Sequence, residues 1–263
     1  MAGQNEITYT VFTKPWKVPT PELGELVSAL GFDGIELPVR PGFQVEPQNV
    51  GRDLPKVARQ LGEFGVKIYS VAGPADEATI VACAEAGVPV IRVMARIGEA
   101  GYMASVAQIQ REYDALVPLL DKHNVTLGVQ NHCGRYVANA MGLRHLLERY
   151  DPKHVAAVWD AAHEALNGAE PEFALDIIWP HLCMVNLKNG FWLRTSGPEA
   201  EVAQWKHYWT SGRHGLASWP RVVADLKKRS YSGIVCLTAE YSDETAVNRL
   251  IAEDLAFAKA LFA

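Results

Sequence analysis

No stretch of this sequence approaches the ~18 consecutive apolar residues that a membrane-spanning helix needs. Its first ten residues, MAGQNEITYT, are polar and lack the apolar core of a signal peptide. A soluble cytoplasmic protein with no membrane partner is the default expectation. Basic charge is also in short supply: 25 Lys and Arg stand against 30 Asp and Glu, a net charge of -5. That leaves no basic face for nucleic acid and no attraction to anionic lipid. Cysteine is sparse. Cys83, Cys133, Cys183 and Cys236 match neither zinc-motif nor redox-pair spacing and read as buried free thiols. The segment after the first apolar run, VFTKPWKVPT, holds no glycine-rich phosphate loop. That argues against a doubly wound sheet and a nucleotide cofactor. No linker or low-complexity stretch divides residues 1–263, so one domain is expected.

What the sequence does contain is a recurring unit. Short apolar runs fall at 6–12, 30–37, 64–73, 86–95, 123–132, 153–163, 180–189 and 229–241. Between and after them lie segments with apolar residues at helical spacing: 21–30, 54–64, 75–86, 105–123, 138–150, 171–179, 219–229 and 244–262. Strands rich in Val, Ile and Leu that alternate with amphipathic helices form a parallel sheet covered by helices. Eight such units in 263 residues predict a single α/β domain, a (β/α)8 TIM barrel. Residues 189–218 read as a long irregular segment between the seventh strand and its helix, a length usually kept for function.

Barrel enzymes place their chemistry at the carboxyl ends of the strands. Gln130, Asp160, Asn186 and Glu240 occupy such ends in TLGVQNH, HVAAVWD, LCMVNLK and GIVCLTAEY. Side-chain alternation puts His132 on the face of Gln130 and Lys188 on the face of Asn186. Glu36 ends another strand, Arg92 lies within IRVMAR, and His163 follows Asp160 by three residues. Plainer roles are open: Asp160 as the cap of a helix beginning AAHEAL, and Glu240 in a structural ion pair with Arg92 or Lys188. His123, His145, His154, His181 and His207 read as surface. Trp16, Trp192, Trp205, Tyr208, Trp209 and Trp219 offer rings that stack on a sugar, or that pack a loop or subunit interface.

Together, GFDGIEL, VTLGVQNH, WDAAH, VNLKN and the closing GRHGLASWPRVVADLKKRSYSGIVCLTAEY resemble the xylose-isomerase-like TIM barrels over about residues 6–262. That family contains sugar and sugar-phosphate isomerases, epimerases and keto-inositol or keto-acid dehydratases. The resemblance implies a divalent metal at the barrel mouth, held by a Glu, an Asp, a His and a second Glu on successive strands. Asp160 and Glu240 match the Asp and the last Glu. His163 matches a substrate-binding His, and Lys188 a Lys that follows the strand-seven ligand. The first Glu is Gln130 here, and the His is Asn186.

Those amides take away a base and two ligand charges, since an amide has no useful basicity near neutral pH. Two carboxylates and two amides suit Mg²⁺ or Mn²⁺ weakly and zinc poorly. The expectation is therefore a sugar or keto-polyol isomerase or epimerase, or a related dehydratase, working by proton transfer beside a carbonyl. Its catalytic candidates are Glu240, His132, His163 and Lys188. Gln130, Asn186, Glu36, Arg92, Trp16, Trp192 and Arg213 are the substrate-binding candidates. Asp160 and Glu240, joined by Gln130 and Asn186, are the metal candidates. The alternative is a metal-free sugar-binding protein or partner subunit on the same barrel. The DNA-repair endonuclease branch would need a basic face that is absent. The resemblance also implies a homo-oligomer.

Overall fold

The structure, a computed structural model, describes residues 6–263. Residues 1–5, half of the polar start in which no signal core is read, lie outside the described residues. The first barrel strands are β1 (Ile7–Phe12), β2 (Gly34–Pro38), β3 (Lys67–Ala72) and β4 (Val90–Met94). They are followed by β5 (Thr126–Gln130), β6 (Val155–Asp160), β7 (Leu182–Leu187) and β10 (Gly233–Leu237). All pair in parallel, and β1 closes on β10, giving a complete barrel. A helix follows each strand: α1 (Thr20–Leu30), α2 (Val50–Gly62), α3 (Glu77–Ala86), α4 (Tyr102–His123), α5 (Ala140–Leu147), α7 (Pro171–Ile178), α8 (Trp219–Lys228) and α9 (Val247–Phe262). Closure removes every sheet edge, and the helices bury the outer faces of the strands.

Two differences from the sequence reading matter for the mouth. The segment 189–218 is not simply irregular. It holds an antiparallel hairpin, β8 (Asn189–Arg194) with β9 (Trp205–Thr210), paired from Asn189↔Thr210 to Arg194↔Trp205. A short helix, α6 (Ala161–Leu166), also follows β6 directly. Asn189 anchors the return from the hairpin. Its amide donates to the carbonyls of Gly212 and Ala217, and its Oδ1 accepts from the Ala217 N–H. Gly215 passes so close that a Cβ there would lie 2.0 Å from Asn189 Oδ1, so only glycine fits.

Phe12, Ala72, Val158, Met184 and Cys236 form a separate small apolar cluster on the barrel strands. The larger core lies between strands and helices, with Trp159 and Trp219 its largest fully buried side chains. Trp219, an aromatic candidate for sugar stacking, is therefore core; its indole donates to the Lys188 carbonyl at 3.2 Å. All four cysteines are free, three of them buried and Cys183 half-buried. Among the described residues no helix is long and apolar enough to cross a membrane.

Candidate active site at the barrel mouth

A narrow cleft of about 90 Å³ opens at the carboxyl ends of the strands. Phe12, Lys14, Arg40, Arg92, Met94, Gln130, His132, His163, Asn186, Thr238 and Glu240 line it. Six of the predicted site residues thus converge there: Arg92, Gln130, His132, His163, Asn186 and Glu240. Glu36, Asp160 and Lys188 join them through hydrogen bonds.

One side of the cleft is a network of charges. Arg92 donates to Glu36 Oε1 at 2.8 Å and to the side-chain oxygen of Gln130. Gln130 in turn donates to Asp160 Oδ2 at 2.8 Å. Burial works against the Arg92 charge, but Glu36 outweighs it and holds the guanidinium ionised. Lys188 donates to Glu240 Oε2 at 2.7 Å, and Lys14 donates to the other oxygen. Burial alone would raise the Glu240 carboxyl; the two ammonium groups instead hold it well below the usual carboxylate range. Ala239, just before it, has φ +50°, a left-handed conformation that a non-glycine residue rarely adopts. Such strain tends to cluster at functional sites. The Lys188 ammonium also sits 3.7 Å from the centre of the Trp209 ring on the hairpin.

Asp160 performs the capping role that the sequence left open. Its Oδ1 accepts from the N–H groups of Ala162 and His163 at 3.0 and 3.1 Å, starting α6. Burial pushes its carboxyl up, opposed by Lys188 and by these donors.

The other side is built from neutral nitrogen and sulfur. His132 and His163 lie with ring centres 3.9 Å apart. His132 Nδ1 is 2.8 Å from the Cys133 carbonyl, which fixes Nδ1 as the protonated nitrogen and turns Nε2 free. His163 Nδ1 is 3.1 Å from Cys133 Sγ and accepts the Cys133 N–H at 3.3 Å. Burial lowers His132, and lowers His163 further with help from Lys188. His207, read as surface, instead reaches in from β9: its Nε2 is 3.3 Å from Cys133 Sγ, and its ring stacks on Trp209.

Asn186 is the most unusual group. It is wholly buried, and neither its Nδ2 nor its Oδ1 has a hydrogen-bond partner among the described residues. A buried amide without partners is costly, and one that lines a cleft is satisfied when a polar ligand enters.

Three binding candidates lie apart from the cleft lining. Trp16 donates to Asn248 Oδ1 at 2.9 Å. Trp192 packs on His207 and donates to the Leu166 carbonyl. Arg213 stacks over Phe257 of α9 at 3.7 Å. Conversely, the sequence reading missed Lys14, Arg40, Cys133 and His207. Arg40 faces the Phe12 ring from 5.6 Å, while Arg92 lies 4.8 Å from the same ring. Lys14 and Arg40 follow β1 and β2, the positions from which loop residues of a barrel reach its mouth, and that placement was the available signal.

The fold and this mouth define a TIM-barrel protein with a polar site at the carboxyl ends of its strands. The family profile for the xylose isomerase-like TIM barrel matches residues 25–261, and the chain belongs to that family. Its fold is similar to that of D-psicose 3-epimerase solved in the presence of D-fructose. The TM-score is 0.70 at 11% identity, over 97% of this chain and 99% of the other. It is also similar to 3-keto-D-glucoside 4-epimerase from E. coli, with TM-score 0.74 and 15% identity over 97% and 100%. A third likeness is to a probable 3-DHS dehydratase from Bacillus anthracis, with TM-score 0.70 and 14% identity over 96% and 98%. Among curated protein sequences none matches.

Proposed function

We propose that this protein is an enzyme that moves a proton at the carbon beside the carbonyl of a keto sugar or keto-polyol. The observation that carries the reading is a neutral imidazole, His132, and an ion-paired carboxylate, Glu240, lining one cleft, with the Lys188 ammonium bonded to that carboxylate. The buried ammonium is fixed by Glu240 at 2.7 Å and by the Trp209 ring, and the imidazole keeps Nε2 free. In the reaction His132 Nε2 takes the proton, and the Lys188 ammonium stabilises the negative charge that develops on the carbonyl oxygen. Asn186 binds a substrate hydroxyl through its unpartnered amide. Glu240, held ionised by two lysines, serves better to position Lys188 than to accept a proton. The epimerases and the dehydratase among the similar folds are consistent with this class of substrate.

The divalent metal that the family implies does not fit the donors present. Two of the four positions are the neutral amides Gln130 and Asn186. Both Glu240 oxygens are taken by ammonium groups, and the Asp160 oxygens by backbone N–H groups and Gln130. A hard cation there would have to displace Lys188 and Lys14. The reaction proposed therefore includes no step through a metal.

Solvent exchange tests the reading. A panel of keto sugars and keto-polyols incubated with the protein in D₂O is expected to gain deuterium beside the carbonyl, by NMR. His132→Gln should lower that rate about 100-fold or more. Unchanged exchange in His132→Gln would remove the assignment. Sugar binding with no exchange at all would favour the non-catalytic sugar-binding alternative, which the replacement amides Gln130 and Asn186 support.

A further inference from the structure

The neutral side of the mouth carries a group of donors that the proposed proton transfer does not explain. His132, Cys133 and His163 each offer a ligand atom, and these atoms lie within 4.8 Å of one another. His207 Nε2 stands outside that mutual spacing, but it comes from the hairpin to within 3.3 Å of Cys133 Sγ. We propose that His132, Cys133, His163 and His207 bind a borderline-soft divalent cation of the zinc type, at a place distinct from the family's metal position.

Donor type and geometry both favour it. A tetrahedral zinc ion has Zn–S of about 2.3 Å and Zn–N of about 2.0–2.1 Å, so its ligand atoms sit roughly 3.3–3.7 Å apart. The contacts of Cys133 Sγ with His163 Nδ1 at 3.1 Å and with His207 Nε2 at 3.3 Å are already close to that spacing. Side-chain rotation supplies the rest. One thiolate and three imidazoles suit zinc, cobalt(II) or nickel(II) and suit magnesium poorly.

The surroundings are those of ligating histidines. A metal-bound imidazole usually gives its other N–H to a carbonyl or carboxylate, which fixes the tautomer. His132 has the Cys133 carbonyl at 2.8 Å from Nδ1, leaving Nε2 for the ion. His163 Nε2 is 4.0 Å from Asp160 Oδ2 while Nδ1 faces the sulfur. Cys133 gives up its proton to solvent on binding, so the ion and thiolate together add a single positive charge. Asp160 Oδ2, 4.0 Å from His163 Nε2, lies nearby to offset that charge.

The site has a consequence for the mouth. His132, Cys133 and His163 belong to the barrel, whereas His207 belongs to β9. A bound ion would tie the hairpin down over the cleft. It would also occupy His132 Nε2, so zinc binding and proton transfer at that atom exclude each other. The binding claim itself rests on the donor cluster and not on the proposed reaction.

Cobalt(II) is the probe. Full-length protein, reduced and freed of metal, is titrated with Co²⁺ under anaerobic conditions and then with Zn²⁺ by calorimetry. The expected result is one ion per chain, with a thiolate-to-cobalt charge-transfer band and the intense visible bands of a tetrahedral site. Cys133→Ser should abolish the charge-transfer band. His207→Ala, on the exposed hairpin, should weaken Zn²⁺ at least about tenfold while the charge-transfer band persists on saturation. Circular dichroism without metal confirms that each variant is folded. Absence of the band in the unaltered protein would overturn the proposal. So would Zn²⁺ affinity unchanged in both variants, or affinity lost in Asp160→Asn and kept in Cys133→Ser. No readout involves turnover, so this result and the D₂O exchange result fail or stand separately.

Discussion

The two sides of the barrel mouth solve opposite electrostatic problems. Around Arg92, Lys188 and Lys14, the carboxylates Glu36 and Glu240 each have a cation within hydrogen-bond reach. Around His132, Cys133, His163 and His207, burial keeps the imidazoles neutral and pushes the Cys133 thiol up to about 11. The positions where the family resemblance implies metal ligands lie on or against the charged side, where ammonium and guanidinium groups supply the positive charge. The difference teaches that replacing two ligands by amides need not leave a damaged metal site. Fixed cations can take the place of the ion at Glu240, while at Asp160 the Gln130 amide and two backbone N–H groups do so.

The comparison breaks most sharply at Arg92. Its side chain and that of Glu36 are 6% and 0% exposed, and their contact is 2.8 Å. Arg92→Ala would strand the Glu36 charge and release Gln130. A loss of about 3–5 kcal/mol in urea unfolding is expected, since the partner's desolvation goes uncompensated. A loss below about 1 kcal/mol would mean that Glu36 does not depend on this cation.

Lys188→Met comes next. It keeps the length of the side chain and leaves Glu240 paired with Lys14, so folding should change little. If Lys188 supplies the positive charge at the reacting oxygen, kcat should fall about 100–1,000-fold with KM much less affected. Steady-state kinetics on whichever keto sugar exchanges deuterium would read this directly. Added Mn²⁺ restoring the rate would instead point to a metal at that position.

Much of this contrast was open to sequence reasoning, and the part that was not has a common cause. The barrel was legible because each strand is a short run rich in Val and Ile between amphipathic helices. The strand-end residues Gln130, Asp160, Asn186 and Glu240 were legible because barrels expose those ends. The partners were not. Lys14 reaches Glu240 across 226 residues of sequence, and no local spacing reports such a contact. The hairpin was hidden because its strands lie within a stretch of Gly, Pro and charged residues, with the pairing set at a distance. His207 sits two residues before Trp209, on the same face of β9. That alternation was the one available sign that it points inward with the aromatic ring.

A carboxylate just outside the charged network shows what the cations contribute. Asp254 accepts from the Gly212 N–H at 2.9 Å and the Tyr241 hydroxyl at 2.8 Å, and among the described residues no ion pair holds it. Burial raises it to about 6, whereas Glu240, with two ammonium partners, is held down. The native state therefore binds more protons at Asp254 than the unfolded chain does between about pH 4 and 6. Stability should fall as pH rises through that window, by up to about 3 kcal/mol. Thermal unfolding followed from pH 4 to 7 checks this, and Asp254→Asn should flatten the slope. Glu240, held down by its ammonium partners, acts in the opposite sense at the acid end of that window, where its unfolded carboxyl is still partly protonated, so the Asp254→Asn comparison is what isolates Asp254.

The smallest expected effect is the one that best separates folding from function. Asn186 lies at the boundary of the two sides, and neither of its amide atoms is bonded within the chain. In the absence of ligand it is a desolvated polar group without compensation, so Asn186→Leu, of similar volume, should stabilise the protein by about 1–2 kcal/mol. The same change would remove the group proposed to hold a substrate hydroxyl. Thermal midpoint and KM should therefore rise together, which is the signature of a residue kept for binding at a cost to folding. A lowered midpoint would show that Asn186 has a structural partner after all, such as bound water, and the boundary between the two sides would then belong to the fold.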